Sequence, residues 1–321
     1  MRVFAVDKPL GLTSHDVVAR ARRLLGTRRI GHAGTLDPLA SGVLVLLVDE
    51  ATKLAPYLSG ADKAYLAWLA LGVGTPTLDA EGPIEALADA GGLDAATIDD
   101  ALPPFLALRE QRPPAYSAVH HAGERAYAAA RRGTALDLPP RPARYHELAL
   151  LALLPAGAPA ATSLVRTADG WRPADAAAGS APDAARLTLT LPAMLAPAPV
   201  ALVRLRVAAG TYVRAFARDL GAALGVPAHL AGLVRTTAGA VDLAQTVPLA
   251  ALAEATPLDP IGLLPFPRVQ LDDELAQAVR DGKRPPADWS GRVTLLDPDG
   301  QLVAIADAVD GRVRTQRVWR P

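Results

Sequence analysis

The 321-residue chain contains no cysteine and no asparagine. Without Cys there are no disulfides, thiolate metal sites, iron–sulfur clusters or thiol nucleophile. Without Asn there is no N-glycosylation acceptor and no catalytic or base-reading Asn. Lysine is scarce: Lys8, Lys53, Lys63 and Lys283 leave 29 of the 33 basic residues as Arg. Acidic residues also number 33, so the formal charge is zero. Neutrality argues against a uniformly basic nucleic-acid binder but leaves local patches open. The uncharged stretch Leu148–Val165 is broken by Pro155, Gly157 and Pro159; only Leu148–Leu154 is strongly apolar, and that run reads as a buried strand or helix end, not a membrane span. The amino terminus meets Asp7 and Lys8 before a signal-peptide core can form, which points to a soluble cytoplasmic protein.

What is present is unevenly spread. Residues 72–101 carry seven acids and no Lys or Arg, whereas 109–144 and 203–235 are rich in Arg. The length suits two domains. Ser14 is placed to cap a helix from His15 to Leu25, stopped by Gly26. Val43–Val48 reads as a buried strand. Lys63–Leu71 alternates, with Tyr65, Ala67, Leu69 and Leu71 on one face and Leu66, Trp68 and Ala70 on the other. After Gly210 the period becomes helical, placing Val213, Phe216, Ala217, Leu220 and Leu224 together. About 155–200 is rich in Ala, Pro and Gly with no sustained period outside the alternating run Leu187–Leu191, and much of it reads as a flexible insertion. Beyond about 265 a short helix precedes strands at 293–296, 302–307 and 312–318, with Asp-Gly turn signals at 299–300 and 310–311.

No P-loop, zincin, nucleophile-elbow or dinucleotide-loop pattern occurs. The six His show no metal-ligand spacing except adjacent His120-His121, which reads as a solvated pair, so no metal is expected. The strongest local feature is Gly31-His32-Ala33-Gly34-Thr35-Leu36-Asp37-Pro38-Leu39-Ala40-Ser41-Gly42. Its glycines permit close approach of a ligand, and Pro38 pushes Asp37 into an extended conformation. Spacing alone allows two readings: an Asp projecting into a cleft beside a buried strand, or an Asp-Pro turn satisfying its own backbone.

This loop resembles the signature of the tRNA pseudouridine synthases of the TruB family. The likeness continues through Asp7-Lys8-Pro9 with Ser14-His15-Asp16, through Asp62-Lys63-Ala64-Tyr65, and through Thr75–Gly82, where Pro76 stands in place of a usual acid. It continues through Pro114–Ala118 with Tyr127 and Ala130–Gly133, Gly210–Arg214 with Asp219-Leu220-Gly221, and His229–Leu233 with Arg235. The loop and six further motifs thus occur in order across residues 7–235. The tail from Pro267-Arg268-Val269 resembles a PUA-type RNA-binding domain.

The resemblance implies an α+β fold: a mixed, mostly antiparallel sheet flanked by helices, spanning 1–260, with an RNA-gripping insertion at about 105–145. A small β-rich PUA-like domain at 265–321 follows. It implies isomerisation of uridine 55 in the T loop of tRNA by base flipping and aspartate attack, without cofactor. Asp37 would be the nucleophile, attacking at C6 or C1′, with Arg214 as its counter-charge; Tyr65 would lie against the uracil and serve as the catalytic base for a ribose proton if the route passes through a glycal. His32, Tyr212 and Leu233 would bind the substrate, and Lys8 would order the motif loops. Arg109, Arg112, Tyr116, Arg125, Arg131, Arg132 and Arg235 would contact RNA. The expected partner is the tRNA T-arm, with no membrane, obligatory protein partner or guide RNA, and a monomeric chain. A non-catalytic tRNA-binding chaperone is the alternative; a glycosidase, which needs a second catalytic carboxylate, is a third reading.

Overall fold

Strand β1 (Arg2–Lys8), helix α1 (Ser14–Leu24), β2 (Ile30–His32), β3 (Ala40–Val48) and β4 (Lys63–Leu71) form the amino-terminal half of the central sheet in this computed structural model. The structure describes residues 1–117, 119–121, 123–134, 136–157, 161–167, 170–173, 187–190 and 198–320. All nine residues of β3 are buried, because both faces of this strand are covered. Val43, Val45 and Leu47 join one core, and Leu44, Leu46 and Val48 join another under α1. Each such aliphatic side chain contributes about 1.5–3 kcal/mol relative to leaving it in water.

Three further long strands join the sheet: β5 (Tyr145–Leu154), β6 (Val200–Val207) and β7 (Ala228–Ala238), with helix α2 (Val213–Ala223) between the last two and the short strand Val241–Asp242 paired to the end of β7. The order is β5-β6-β4-β7-β3-β1, closed by Val247–Pro248. Only the β7–β3 and β1–Val247 pairings are parallel; the rest are antiparallel. The expected mixed, mostly antiparallel architecture is therefore what forms. On β4 the two faces divide as the alternation requires, Tyr65, Ala67, Leu69 and Leu71 meeting α2 and Leu66, Trp68 and Ala70 the opposite core.

Register positions the site. Along β7, Leu233 lies opposite Ala40 of β3 and Ala67 of β4, and Arg235 opposite Gly42 and Tyr65. A Cβ on Gly42, whose φ is +94°, would lie 2.3 Å from the Arg235 carbonyl oxygen, so only glycine permits this closeness.

The helix cap differs from expectation. Thr13, not Ser14, is the N-cap of α1, in a reciprocal capping box with Asp16. Ser14 is buried and exchanges hydrogen bonds with the backbone of Leu36: its hydroxyl donates to the Leu36 carbonyl (3.1 Å) and accepts from the Leu36 amide (2.8 Å).

The 155–200 segment carries the strand expected from the alternation at Leu187–Leu191, here Leu187–Thr190, and two more that the sequence did not announce. Its described parts pair as antiparallel strands, Ala161–Thr167 with Gly170–Pro173 and with Leu187–Thr190. Thr162, Val165 and Thr167 supply β-branched character that the surrounding Ala and Pro conceal. The remainder, 158–160, 168–169, 174–186 and 191–197, lies outside the described residues.

The carboxy-terminal sheet runs Arg268–Gln270, Arg292–Leu296, Leu302–Val309, Arg312–Val318 and packs helix Asp273–Arg280 over its own core. Asp310 and Gly311 both have positive φ, the mark of the hairpin expected there. This unit docks on residues 49–54: the Trp319 Nε1 donates to the Glu50 carbonyl (3.1 Å) and the Lys53 ammonium to that of Val318 (3.2 Å). Among the described residues no helix is long and apolar enough to cross a membrane.

Candidate active site

Asp37 occupies the loop between β2 and β3, its side chain 38% exposed. The Arg214 Nε meets its Oδ2 at 2.9 Å. Arg214 comes from the first turn of α2 and is only 9% exposed, so this charge-assisted bond joins a nearly dry cation to a carboxylate that solvent or ligand can reach. The second arm of the guanidinium is used too. Its Nη1 donates to the Thr77 carbonyl (3.1 Å) and lies 3.4 Å from Asp79 Oδ2.

Asp79 is a functional residue that the sequence reading left without a role, although its Thr-x-Thr-x-Asp spacing was visible. It is buried, and that burial pushes its carboxyl upward against the opposing effects of the Thr77 hydroxyl (2.6 Å), Arg214 and the Glu81 amide. The segment bearing it is clamped to β7 by Leu230→Leu78 and Ala80→Leu230 backbone bonds, with Leu78 forced to φ +61°. Gly82 closes the turn because a Cβ there would lie 2.5 Å from the Thr77 hydroxyl. Asp79 thereby fixes Arg214 from behind while Asp37 meets it from the front.

The start of α2 is held by Gln111, also unassigned from sequence. Its Oε1 accepts from the Tyr212 amide (3.0 Å), and its Nε2 donates to the Tyr212 carbonyl (3.2 Å) and the Tyr145 hydroxyl (2.7 Å). Tyr212 is half-buried against Val119, Ala126 and Leu138 of the 105–145 insertion. Tyr65 and Leu233 are buried in one cluster with Leu36 and Leu39, the residues that bracket Asp37-Pro38. His32, half-buried at the end of β2, has its imidazole pushed down by burial and then by Arg235.

Lys8 is fully buried, donating to the carbonyls of Leu12 (2.6 Å), Pro9 (2.9 Å) and Pro38 (3.5 Å), so it ties the first motif to the Asp37 loop. Lys63 similarly holds the Ser59 and Ala61 carbonyls. Burial pushes both ammoniums down to about 8 from 10.5. Between those values the folded chain holds fewer protons than the unfolded one, so stability rises with pH across the window. Urea midpoints at about pH 7.5 and 9.5 are expected to climb in the wild type relative to a Lys8→Met/Lys63→Met variant. Parallel pH dependence in the two proteins would contradict this.

Arg235 requires correction as an RNA contact. It is 1% exposed, with Nε donating to the Val43 carbonyl (2.7 Å), Nη1 to Thr35 (3.2 Å) and Nη2 to Gly34 (3.1 Å). Its guanidinium is consumed inside the protein, bracing the Asp37 loop against β3. The other expected RNA residues stay on the insertion. Arg109, Arg112, Arg131 and Arg132 are exposed; Arg112 pairs with Asp137 and Arg132 with Glu124. Arg131 sits 5.0 Å over the Tyr127 ring, which packs edge-on to Tyr116. Arg125 lies on the short strand paired with His120–His121. Among the described residues no group of three or more His, Asp or Glu is arranged to hold a metal.

Residues 22–168 match the model of the TruB family pseudouridylate synthase, N-terminal domain. The chain is 50% identical over 321 residues to the tRNA pseudouridine synthase B of Deinococcus radiodurans, covering 99% of this chain and 100% of that one. It is 49% identical over 319 residues to the enzyme of the same name from Thermus thermophilus, covering 99% of each. Among solved structures, a Cbf5-Nop10-Gar1 complex contains a chain of the same fold, with TM-score 0.67 and 22% identity over 100% of this chain and 85% of that one. The ordered motifs, the sheet and the end-to-end identity agree: this chain belongs to the TruB family of pseudouridylate synthases.

Proposed function

We propose that the chain converts uridine 55 in the T loop of tRNA to pseudouridine, with Asp37 as nucleophile and without a cofactor. The observation that carries this is the 2.9 Å Arg214–Asp37 pair at the end of a loop fixed from four sides by Ser14, Lys8, Arg235 and β3. The names of the relatives support tRNA as substrate. In the reaction the N1–C1′ bond breaks, the uracil turns, C5 bonds to C1′, C5 loses its proton and N1 gains one. No atom is added overall.

Asp37 must be ionised to add to C6 or C1′, in either case dividing one difficult step into two. Arg214 favours that ionised form in a site from which the base displaces water. Tyr65, Leu233 and Tyr212 line the wall against which the extruded uracil would lie. Extrusion costs a few kcal/mol, and His32 would occupy the space the base leaves. The insertion, with Arg109, Arg112, Arg125, Arg131, Arg132 and Tyr116, would grip phosphates, while the carboxy-terminal sheet supplies a PUA-like RNA surface. The enzyme works as a cytoplasmic monomer on free tRNA, without guide RNA or an obligatory partner.

Mass-spectrometric mapping of an unmodified tRNA transcript treated with the purified chain tests this. Pseudouridine at position 55, with matching tritium release from C5-labelled uridine, is the expected result. Binding without any isomerisation would establish the chaperone reading instead, and modification only elsewhere would refute the site assignment.

A further inference from the structure

The densest run of positive charge in the chain lies outside the insertion and outside the active-site cleft. Residues 17–36 contain Arg20, Arg22, Arg23, Arg28 and Arg29, together with His32, and no acid. All five arginines are exposed. Two have work inside the fold: Arg22 Nη2 donates to the Ile30 carbonyl (3.3 Å), and Arg29 pairs with Glu50 at 2.5 Å. Arg20, Arg23 and Arg28 make no ion pair within 4 Å among the described residues. Asp16, one turn from Arg20, is itself bound by the Thr13 amide and hydroxyl.

Stability does not account for these three. Arg23, in the last turn of α1, gains only modestly from the helix dipole. Arg20 sits in mid-helix, three residues from Arg23, where a like charge on the same face is mildly unfavourable. Arg28 lies beyond the helix, past the left-handed Gly26. The buried stripe of α1 is Ser14, Val17, Val18 and Ala21, so Arg20 and Arg23 share the opposite, outward face.

The patch is also continuous with the site. Helix α1 begins at Ser14, which is bonded to Leu36 beside Asp37, and the chain returns through β2 directly into the Asp37 loop. At 1.5 Å per residue, Arg20 stands about 9 Å along the helix from that anchor. Forked guanidiniums at such spacing suit a row of backbone phosphates better than a single small anion.

We infer that the outward face of α1, through Arg20, Arg23 and Arg28, is a second RNA-backbone interface, holding phosphates of the substrate outside the loop that enters the cleft. The inference rests on the reading that the substrate is a folded RNA. It makes the affinity for a whole tRNA, and not for its isolated target hairpin, depend on these residues.

The test compares the wild type with an Arg20→Gln/Arg23→Gln/Arg28→Gln variant, checked for unchanged melting. Equilibrium binding is measured for full-length tRNA and for an isolated T-arm hairpin across a salt series. The expected result with tRNA is a salt-dependence slope lower by about 2–3, at about 0.7–0.9 per lost phosphate contact, with the loss in KM and not in kcat. Hairpin binding is expected to change less than about twofold. An unchanged slope with tRNA overturns the inference, as does equal weakening on both RNAs, which would place the face within the target-loop site. Capture of anionic vesicles by the wild type but not the variant, with tRNA binding intact, would assign the surface to lipid and also overturn it. Mapping pseudouridine in the same tRNA keeps the two readings apart: a lowered slope without any pseudouridine retains the interface and removes only the tRNA-modifying assignment.

Discussion

Asp37→Asn is expected to reduce turnover by about 10⁴-fold or more while leaving the fold intact. The amide is nearly isosteric with the carboxylate but cannot act as the anionic nucleophile proposed for this position. Its structural cost is small, because Asp37 is over one-third exposed and Arg214 keeps its bonds to Asp79 and the Thr77 carbonyl. Solvent reaches the Asp37 side of the pair, so exchanging that carboxylate for an amide is expected to cost only about 1 kcal/mol. Arg214→Met behaves differently. It removes the counter-charge of Asp37 and also leaves Asp79 buried beside no cation, a loss of about 3–5 kcal/mol for a broken buried pair. Adding Asp79→Asn to Arg214→Met removes the stranded charge and is expected to return part of the stability but none of the activity. Single-turnover rates and urea midpoints on the three proteins separate these effects. Recovery of activity in the double variant would show that Arg214 serves only the fold.

The contrast between Asp37 and Asp79 shows what one-dimensional reading can reach. Asp37 stands in a Gly-rich loop ending in Pro38, where local chemistry marks it. Asp79 is one of seven acids in 72–101, and its Thr-x-Thr-x-Asp spacing marks it without saying what the carboxylate touches. Its role depends on Leu78 and Ala80 being stitched to Leu230, some 150 residues away, and nothing local reports that pairing. Periodicity succeeded where one element determines the outcome. The faces of β4, the buried stripe of α2 and the Asp310-Gly311 hairpin follow from spacing or dihedral preference alone. It failed for strands Ala161–Thr167 and Gly170–Pro173, whose short β-branched signal is diluted by neighbouring Ala and Pro. The cap of α1 fell one residue away because Thr13 and Ser14 are chemically equivalent there. The bond from Ser14 to Leu36, a tertiary contact, decides between them.

Arg235 is the sharpest case of charge misleading about location, and it carries the second large effect. An arginine in a basic stretch is ordinarily solvated, yet this one is sealed behind the Asp37 loop. Its three donors are shared among the carbonyls of Gly34, Thr35 and Val43. Lysine at this position presents a point charge where a planar fork is needed, so Arg235→Lys is not conservative. At about 1–3 kcal/mol for each buried group left without a partner, Arg235→Lys is expected to destabilise the chain by about 2–4 kcal/mol. The loop it braces would loosen around Asp37, so kcat is expected to fall at least about tenfold, since small misplacements of a reacting group are costly. KM for tRNA should stay within about twofold, and amide exchange should accelerate at residues 33–37. A phosphate-gripping arginine predicts the reverse pattern: Lys keeps the charge, stability and loop protection stay unchanged, and the loss appears in KM. Observation of that reverse pattern would return Arg235 to the RNA interface and remove it from the frame of the active site.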